Sequence, residues 1–412
     1  MSTWQQIGAN IGGEKAGDQS GYSVSISADG SIVAIGAPYN DGNGINSGHV
    51  RVFQKDNNKW QQIGADINGE ASADLFGYSI SLTGEGSTLA IGAPNNDGIS
   101  TNSGHVRVLK NTNNNWSQVG NDIDRFISER DDGKTDLFGS SVSITSDGSI
   151  IFIGAPGNDR YEADGGLFVR YTNDGHSSNT LDGYWFLEGY NYLNHGGSVG
   201  TSVSVSDDGS IFTIGSPYSN DNKGIAGIYR RERTGGWTQI YGHIYGENED
   251  DYFGTTVTVS GDGSIVAVGA PNSDINGSNS GLVRVYEVYD NKMRYKQLGN
   301  DIGGENAGDY FGSSISLSDD GSIMAIGAPN NDGNGLNSGH VQVFKNVNNN
   351  WVKLGSAIQG ESKNDYFGTS VSVSSDGSII AIGAPKNDAN GVNSGHVQLF
   401  ERSANKGSGV FS

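Results

Sequence analysis

Residues 312–355 read GSSISLSDDGSIMAIGAPNNDGNGLNSGHVQVFKNVNNNWVKLG, and the same text returns around the chain. In the first copy, YSVSIS at 22–27 alternates polar and apolar side chains, the period of a half-buried strand. Asp29-Gly30 then gives a tight hairpin, since both residue types tolerate positive φ. SIVAIGA at 31–37 is apolar on both faces, as in a sheet packed between two others. HVRVF at 49–53 forms a third strand and WQQIG at 60–64 a fourth, outer one after an Asn-rich turn.

Self-comparison finds the unit seven times. Its opening glycines are Gly21, Gly77, Gly139, Gly200, Gly254, Gly312 and Gly368. A second glycine, in Gly-Ala-Pro or Gly-Ser-Pro, follows 15 residues later in every unit. The chain's 7 prolines all take that one repeat position, from Pro38 to Pro385. Outer strands begin at Trp4, Trp60, Trp116, Trp185, Trp237, Tyr295 and Trp351. The first precedes the first unit, and the last unit ends at VQLF, 397–400, without an outer strand. The expected fold is therefore all-β: a seven-bladed β-propeller of four-stranded antiparallel blades, closed by the N-terminal strand completing the last blade. Residues 1–402 form that one domain and 403–412 a flexible tail. Closure removes open strand edges, so deleting residues 1–9 is expected to lower the melting temperature sharply.

The composition fits short strands and many turns. The chain has 412 residues with Gly 65, about twice the usual share of roughly 7%. A formal net charge of −21 argues against nucleic acid and anionic membrane surfaces. With Cys 0 there is no disulfide framework and no thiolate chemistry. No signal peptide is visible at the start, and no apolar run reaches the roughly 20 residues of a membrane helix.

The Phe-Gly pairs at 76–77, 138–139, 253–254, 311–312 and 367–368, each followed by Gly-Ala-Pro, resemble the FG-GAP repeat. The resemblance implies the propeller of integrin α chains and related surface proteins. Those propellers carry calcium loops of the type Asp-x-Asp-x-Asp-Gly-x-x-Asp in several hairpins. Here the hairpin is Ser-x-Asp-Gly-Ser or close to it, as at 374–378, too few oxygens for the 6–8 that Ca²⁺ takes. The family's calcium sites do not carry over to these positions.

Alternating strand directions put the loops between outer and innermost strands, and those between second and third strands, on one face of the disc. That face holds the long loops and is the expected binding face. It is acidic in a repeating way: Asp18, Asp74, Asp136, Asp251, Asp309 and Asp365; Glu14, Glu70, Glu247, Glu305 and Glu361; Asp41, Asp97, Asp159, Asp274, Asp332 and Asp388, with Asp221 shifted by one. These acids read either as a cation site in each blade or as turn-fixing acceptors of backbone N–H groups. Ca²⁺ on this face is the one cofactor left open; no residue is assigned as a metal ligand.

Repeats three and four break the pattern, with long loops at 121–136, 157–166 and 190–198. They gather Arg125, Arg130, Arg160, Tyr161, Tyr190, Tyr192, His195 and Tyr218. Arg and Tyr anchor interfaces, so this set is the expected partner-binding site; unconstrained loop drift is the other reading. Four histidines (His49, His105, His340, His396) share one repeat position and read as structural. His176, His195 and His243 lack triad or metal-ligand spacing, so no catalytic residue is assigned. The expected function is a non-enzymatic binding or adhesion module for a protein partner, engaged through repeats three and four. Alternatives are a structural component of a virion or cell-surface layer, which would self-assemble or join a larger complex, and a glycan-binding lectin. The expected location is extracellular, cell-surface or virion-associated.

Overall fold

A computed structural model describes residues 3–98, 100–124, 135–157, 167–172, 186–191, 197–232, 236–289 and 293–403, with only the backbone of 167–172 and 186–191. In the first repeat Ser23–Ile26 pairs antiparallel with Ile32–Ala37, which pairs with His49–Asp56, which pairs with Lys59–Gln62. A further strand of two residues, Ile67–Asn68, returns to pair with the start of the third strand, His49 opposite Asn68. Two residues show no periodicity, so nothing in the sequence announces this strand.

The expectation of a seven-bladed propeller of four-stranded blades, closed by the N-terminal strand, is corrected by this topology. Among the described residues six blades are regular and five-stranded, and the third repeat gives an irregular four-stranded sheet. That sheet joins Ser141–Ile144, Ile150–Ala155, Leu167–Thr172 and Phe186–Asn191, with a register shift between Arg170 and Tyr171. Nor is there a closed sheet, since among the described residues no strand ladder runs from one blade to the next. The N-terminal segment contributes two strands to the last repeat: Trp4 lies opposite Arg402, and Ile11 opposite Val397. Of the expected tail, Ser403 bonds through its N–H to the Thr3 carbonyl (2.9 Å), and 404–412 lie outside the described residues.

Side-chain packing and single hydrogen bonds hold neighbouring blades together. Along Ile32–Ala37 alternate residues enter different cores. Val33 and Ile35 pack with Ile379, Ala381 and Leu399 of the last repeat, and Ala34 packs with Ile80, Leu82 and Leu89 of the second. The serines of the innermost strands act between blades: Ser23, Ser79 and Ser141 donate to the carbonyls of Gly77, Gly139 and Gly200 at 2.8, 2.7 and 2.8 Å. Ser370 does the same to Gly21 (2.8 Å), across the junction of the chain's two ends. At the rim the outer-strand indoles reach the preceding blade, Trp60 Nε1 to Ile7 O and Trp116 Nε1 to Ile63 O, both 3.1 Å.

The hairpins between first and second strands meet around the axis. Their backbone bonds run from Ala28 to Gly84, Ser146, Asp207 and Gly261, then from Asp262 to Asp319, Ser375 and back to Ala28, at 2.9–3.2 Å. Of the two hairpin residues expected at positive φ, only Gly30 takes it, at +69°. Asp29 is instead an acceptor, for the Ser27 hydroxyl (2.7 Å) and the Ser31 N–H (2.9 Å). Burial raises its pKa, but those hydrogen bonds together outweigh burial and leave it below the ordinary value.

This ring contains a pair of facing carboxyls. A methyl on Gly261 would meet Asp207 Oδ2 at 2.6 Å and Asp319 Cγ at 2.8 Å, so both carboxyls converge above it. Burial first, and the Asp319 carboxylate second, push Asp207 up to about 6, with Asp208 and Asp262 adding to the effect. The folded state thus binds the proton more tightly than the unfolded chain. Its contribution to stability is full below the ordinary value of 3.8 and is lost as pH rises through about 6. Asp319→Asn should therefore raise the melting temperature at about pH 8, and the gain should fade below about pH 4. Melts of native chain and variant across that range measure the difference; a pH-independent gain would show that the pair does not share a proton.

Candidate functional site

The two sets of long loops lie against each other on one face. The segment leaving the first blade bonds to that blade's own loop, Phe76 N to Ser47 O (3.1 Å) and Ala73 N to Ile45 O (2.8 Å), before entering the second blade. The Phe-Gly pair sits at this crossing. Phe76 is fully buried, and Gly77 carries φ +88°.

Most of the repeated acids serve the loops themselves. Asp74 accepts from Ala71 N and from Asn96 Nδ2 of the next blade, both at 3.0 Å. Asp309 and Asp365 take Asn331 and Asn387 in the same way, at 3.0 and 2.9 Å. Asp41, Asp97, Asp274, Asp332 and Asp388 each accept the N–H five residues on, at 2.7–2.8 Å. Such bonds fix Asx-type turns. Three of the glutamates face basic or amide groups of the third strands, Arg284 to Glu247 (2.9 Å), Arg107 to Glu70, and Gln398 to Glu361 (2.7 Å), while Glu305 pairs with Lys353 of an outer strand.

Between the fourth and fifth blades the acids open into a cavity of about 580 Å³ lined by Glu247, Asp250, Asp251, Asp274, Arg284 and Asp301, among others. Burial first, with Asp274 and Glu247 adding, raises the Asp251 pKa despite its bonds from Asn248. Arg284 is held by Asp301 (2.6 and 2.8 Å), whose pKa it lowers. The cavity is an anionic cleft suited to a cationic side chain.

The loop tips are apolar. Ile45, Leu336 and Val392 share one repeat position and are 71%, 61% and 67% exposed. They stand on the first, sixth and last repeats, which are neighbours in the ring. Their carbonyls accept bonds from Ala73, Asn364 and Gly17 at 2.8, 2.7 and 2.9 Å, so the tips are pinned. Three exposed aliphatic side chains carry no alternation pattern, and sequence reasoning passed over them. Their recurrence between Gly and Asn was the signal available.

Of the residues expected to form the partner site, Tyr218 is described: it is 54% exposed and packs edge-on to Tyr252 at 5.3 Å. Tyr190 was expected in a loop and lies instead in the strand Phe186–Asn191, opposite Val169. Arg125, Arg130, Arg160, Tyr161, Tyr192 and His195 lie outside the described residues.

The four repeated histidines open the third strands and are buried, His49 to 1% exposure. Burial first, then the Arg51 charge, push His49 down to about 4, so it is neutral at neutral pH. His49 nevertheless has acidic company: one donor atom each from Glu14, His49 and Asp66 lie within 4.8 Å of one another, and Glu70, His105 and Asp122 repeat the set. Sequence reasoning missed this grouping because its members come from three separate segments. Their recurrence at the same separations was the signal.

A model of the FG-GAP repeat matches residues 12–53, 246–286, 303–344 and 359–400, less than half of the chain. Each match runs from the two-residue strand, or the residue just after it, into the third strand of the following blade. No curated protein matches the chain, so the finer likeness to integrin α chains has no support. The chain carries FG-GAP repeats and folds as an all-β propeller.

Proposed function

We propose that this propeller is a non-enzymatic binding module that engages a protein partner through its long-loop face. The observation that carries the reading is the row of pinned aliphatic tips, Ile45, Leu336 and Val392. Apolar surface held out into water and rimmed by polar residues marks interaction sites. Around them the face is acidic, and the chain's net charge is −21. The partner surface that fits is apolar at its centre and basic at its edge, where charge sets approach rate and register. The Arg- and Tyr-rich segments of repeats three and four belong to the same proposal as a second contact region, because those residue types anchor interfaces.

The test is capture from an extract of the source organism by the native chain and by two variants. Ile45→Asp/Leu336→Asp/Val392→Asp should lose the captured partner while stability changes by no more than about 0.5 kcal/mol per exposed site. Arg160→Ala/Tyr161→Ala separates the two contact regions. Undiminished capture by the triple variant would remove the tips from the interface.

A further inference from the structure

We propose that Glu14, His49 and Asp66 form a divalent transition-metal site that ties the N-terminal segment to the first blade. The three residues come from different places. Glu14 follows the strand Ile11–Gly12, which pairs with the last repeat; His49 opens the third strand of the first blade; Asp66 follows that blade's outer strand. Their donor atoms lie within 4.8 Å of one another. Donors around a tetrahedral zinc stand about 3.4 Å apart. Glu14, whose side chain is 39% exposed, can rotate to make up the difference.

The second observation is the histidine itself. His49 is 1% exposed, its ring has no hydrogen-bond partner among the described residues, and the corresponding His396 turns Nδ1 toward the place that Asp66 takes here. A neutral imidazole with two carboxylates is a donor set for zinc and its first-row neighbours, whereas Ca²⁺ and Mg²⁺ take oxygen alone.

The neighbouring blade supplies an internal control. Glu70, His105 and Asp122 repeat the triple, but Arg107 bonds both acids there, at 3.2 Å to Asp122. A guanidinium between the carboxylates already occupies the place of the metal charge. In the first blade the corresponding Arg51 pairs only loosely with Glu14 and does not bridge it to Asp66. Its Nη2 donates to Gly12 O at 2.7 Å, and its nearest approach to Glu14 is 3.8 Å. Asp66 keeps only the Gln62 amide, at 2.8 Å. In the last repeat Asn10 stands where the aspartate would be, 3.4 Å from His396 Nδ1, and the fifth blade has Leu282 in place of the histidine. The complete set whose two acids are not bridged by an arginine therefore occurs once among the described residues. Its position makes it a clasp between the segment completing the last repeat and the first blade. A metal bound there and not to the unfolded chain stabilises that junction by mass action.

The test uses the full chain, stripped with chelator and titrated with Zn²⁺ by calorimetry, with Co²⁺ as an optical probe of the coordination shell. The proposal expects uptake of a single Zn²⁺, visible Co²⁺ absorption of low-coordinate nitrogen and oxygen ligation, and a raised melting temperature. Asp66→Asn should weaken Zn²⁺ binding about tenfold or more, and Asp122→Asn should leave it unchanged. Glu14→Gln, altering an exposed carboxylate, replaces Asp66→Asn if that variant fails to fold. No uptake by the native chain, equal weakening by both aspartate variants, or preference for Ca²⁺ over Zn²⁺ would each overturn the site.

Discussion

Deleting residues 1–9 should destabilise the protein by at least about 5 kcal/mol, because it removes a large side chain from each of two hydrophobic clusters at once. Ile7, 3% exposed, packs with Val24, Val33 and Leu399, while Trp4 lies against the next cluster with Leu354 and Phe400. The indole also donates to the Leu354 carbonyl at 3.1 Å, and Trp60 of the first blade loses its acceptor, the carbonyl of Ile7. Removing Ile7 and Trp4 leaves cavities that the rigid neighbouring sheets close poorly, and such losses run about 2–5 kcal/mol per large side chain. The edge of His396–Arg402 is left without the partners of Trp4–Gln6 and becomes available for pairing between molecules. Chemical denaturation of the truncated chain, with light scattering to follow association, measures both effects. An unchanged midpoint would mean that the last repeat is stable without its added strands.

Gly327→Ala should cost about 3 kcal/mol, a large effect for one methyl group. Two repeat glycines are needed for different reasons. Gly368, at φ +90°, needs the left-handed backbone that a side chain disfavours. Gly327 has an ordinary φ, but a Cβ there would lie 2.1 Å from Gly368 O and 2.3 Å from Ser314 Oγ. Gly368 O is also the acceptor of the Ser314 hydroxyl at 2.7 Å. The sixth blade and the next unit meet through backbone at this point, so the added methyl forces two sheets apart. Close packing of such a core leaves little room to take up the shift. The control is Gly17→Ala, where a Cβ meets nothing within 4 Å and the strain comes from φ +91° alone. A smaller loss at Gly327 than at Gly17 would mean that the blade contact is soft.

Parts of the candidate site are legible in the residues alone. The repeated aspartates read as turn acceptors because Asp beside Asn and Gly satisfies local N–H groups, and Asp41 and Asp74 do so. The grouping of Glu14 with His49 and Asp66 is not legible, since strand pairing across the junction of the chain's ends brings them together. The irregular third repeat is visible as long loops, but its strand Phe186–Asn191 absorbs Tyr190 into a ladder that loop length alone does not reveal.

Local chemistry encodes the repeat. Alternating Ser and Val in Ser23–Ile26, the Asp29-Gly30 hairpin and the two-faced apolar strand Ile32–Ala37 follow from side-chain period and backbone preference. Those features can be read residue by residue because each depends on near neighbours in the chain. Only tertiary structure decided what lies between repeats: the serine bonds from blade to blade, the ring of hairpin bonds from Ala28 back to Ala28, the fifth strand of the regular blades and the bond from Arg51 to the Gly12 carbonyl. The reason is physical. Most of these contacts join residues far apart in the chain, and their energies depend on distances of a few tenths of an ångström, which blade packing sets and no local pattern records.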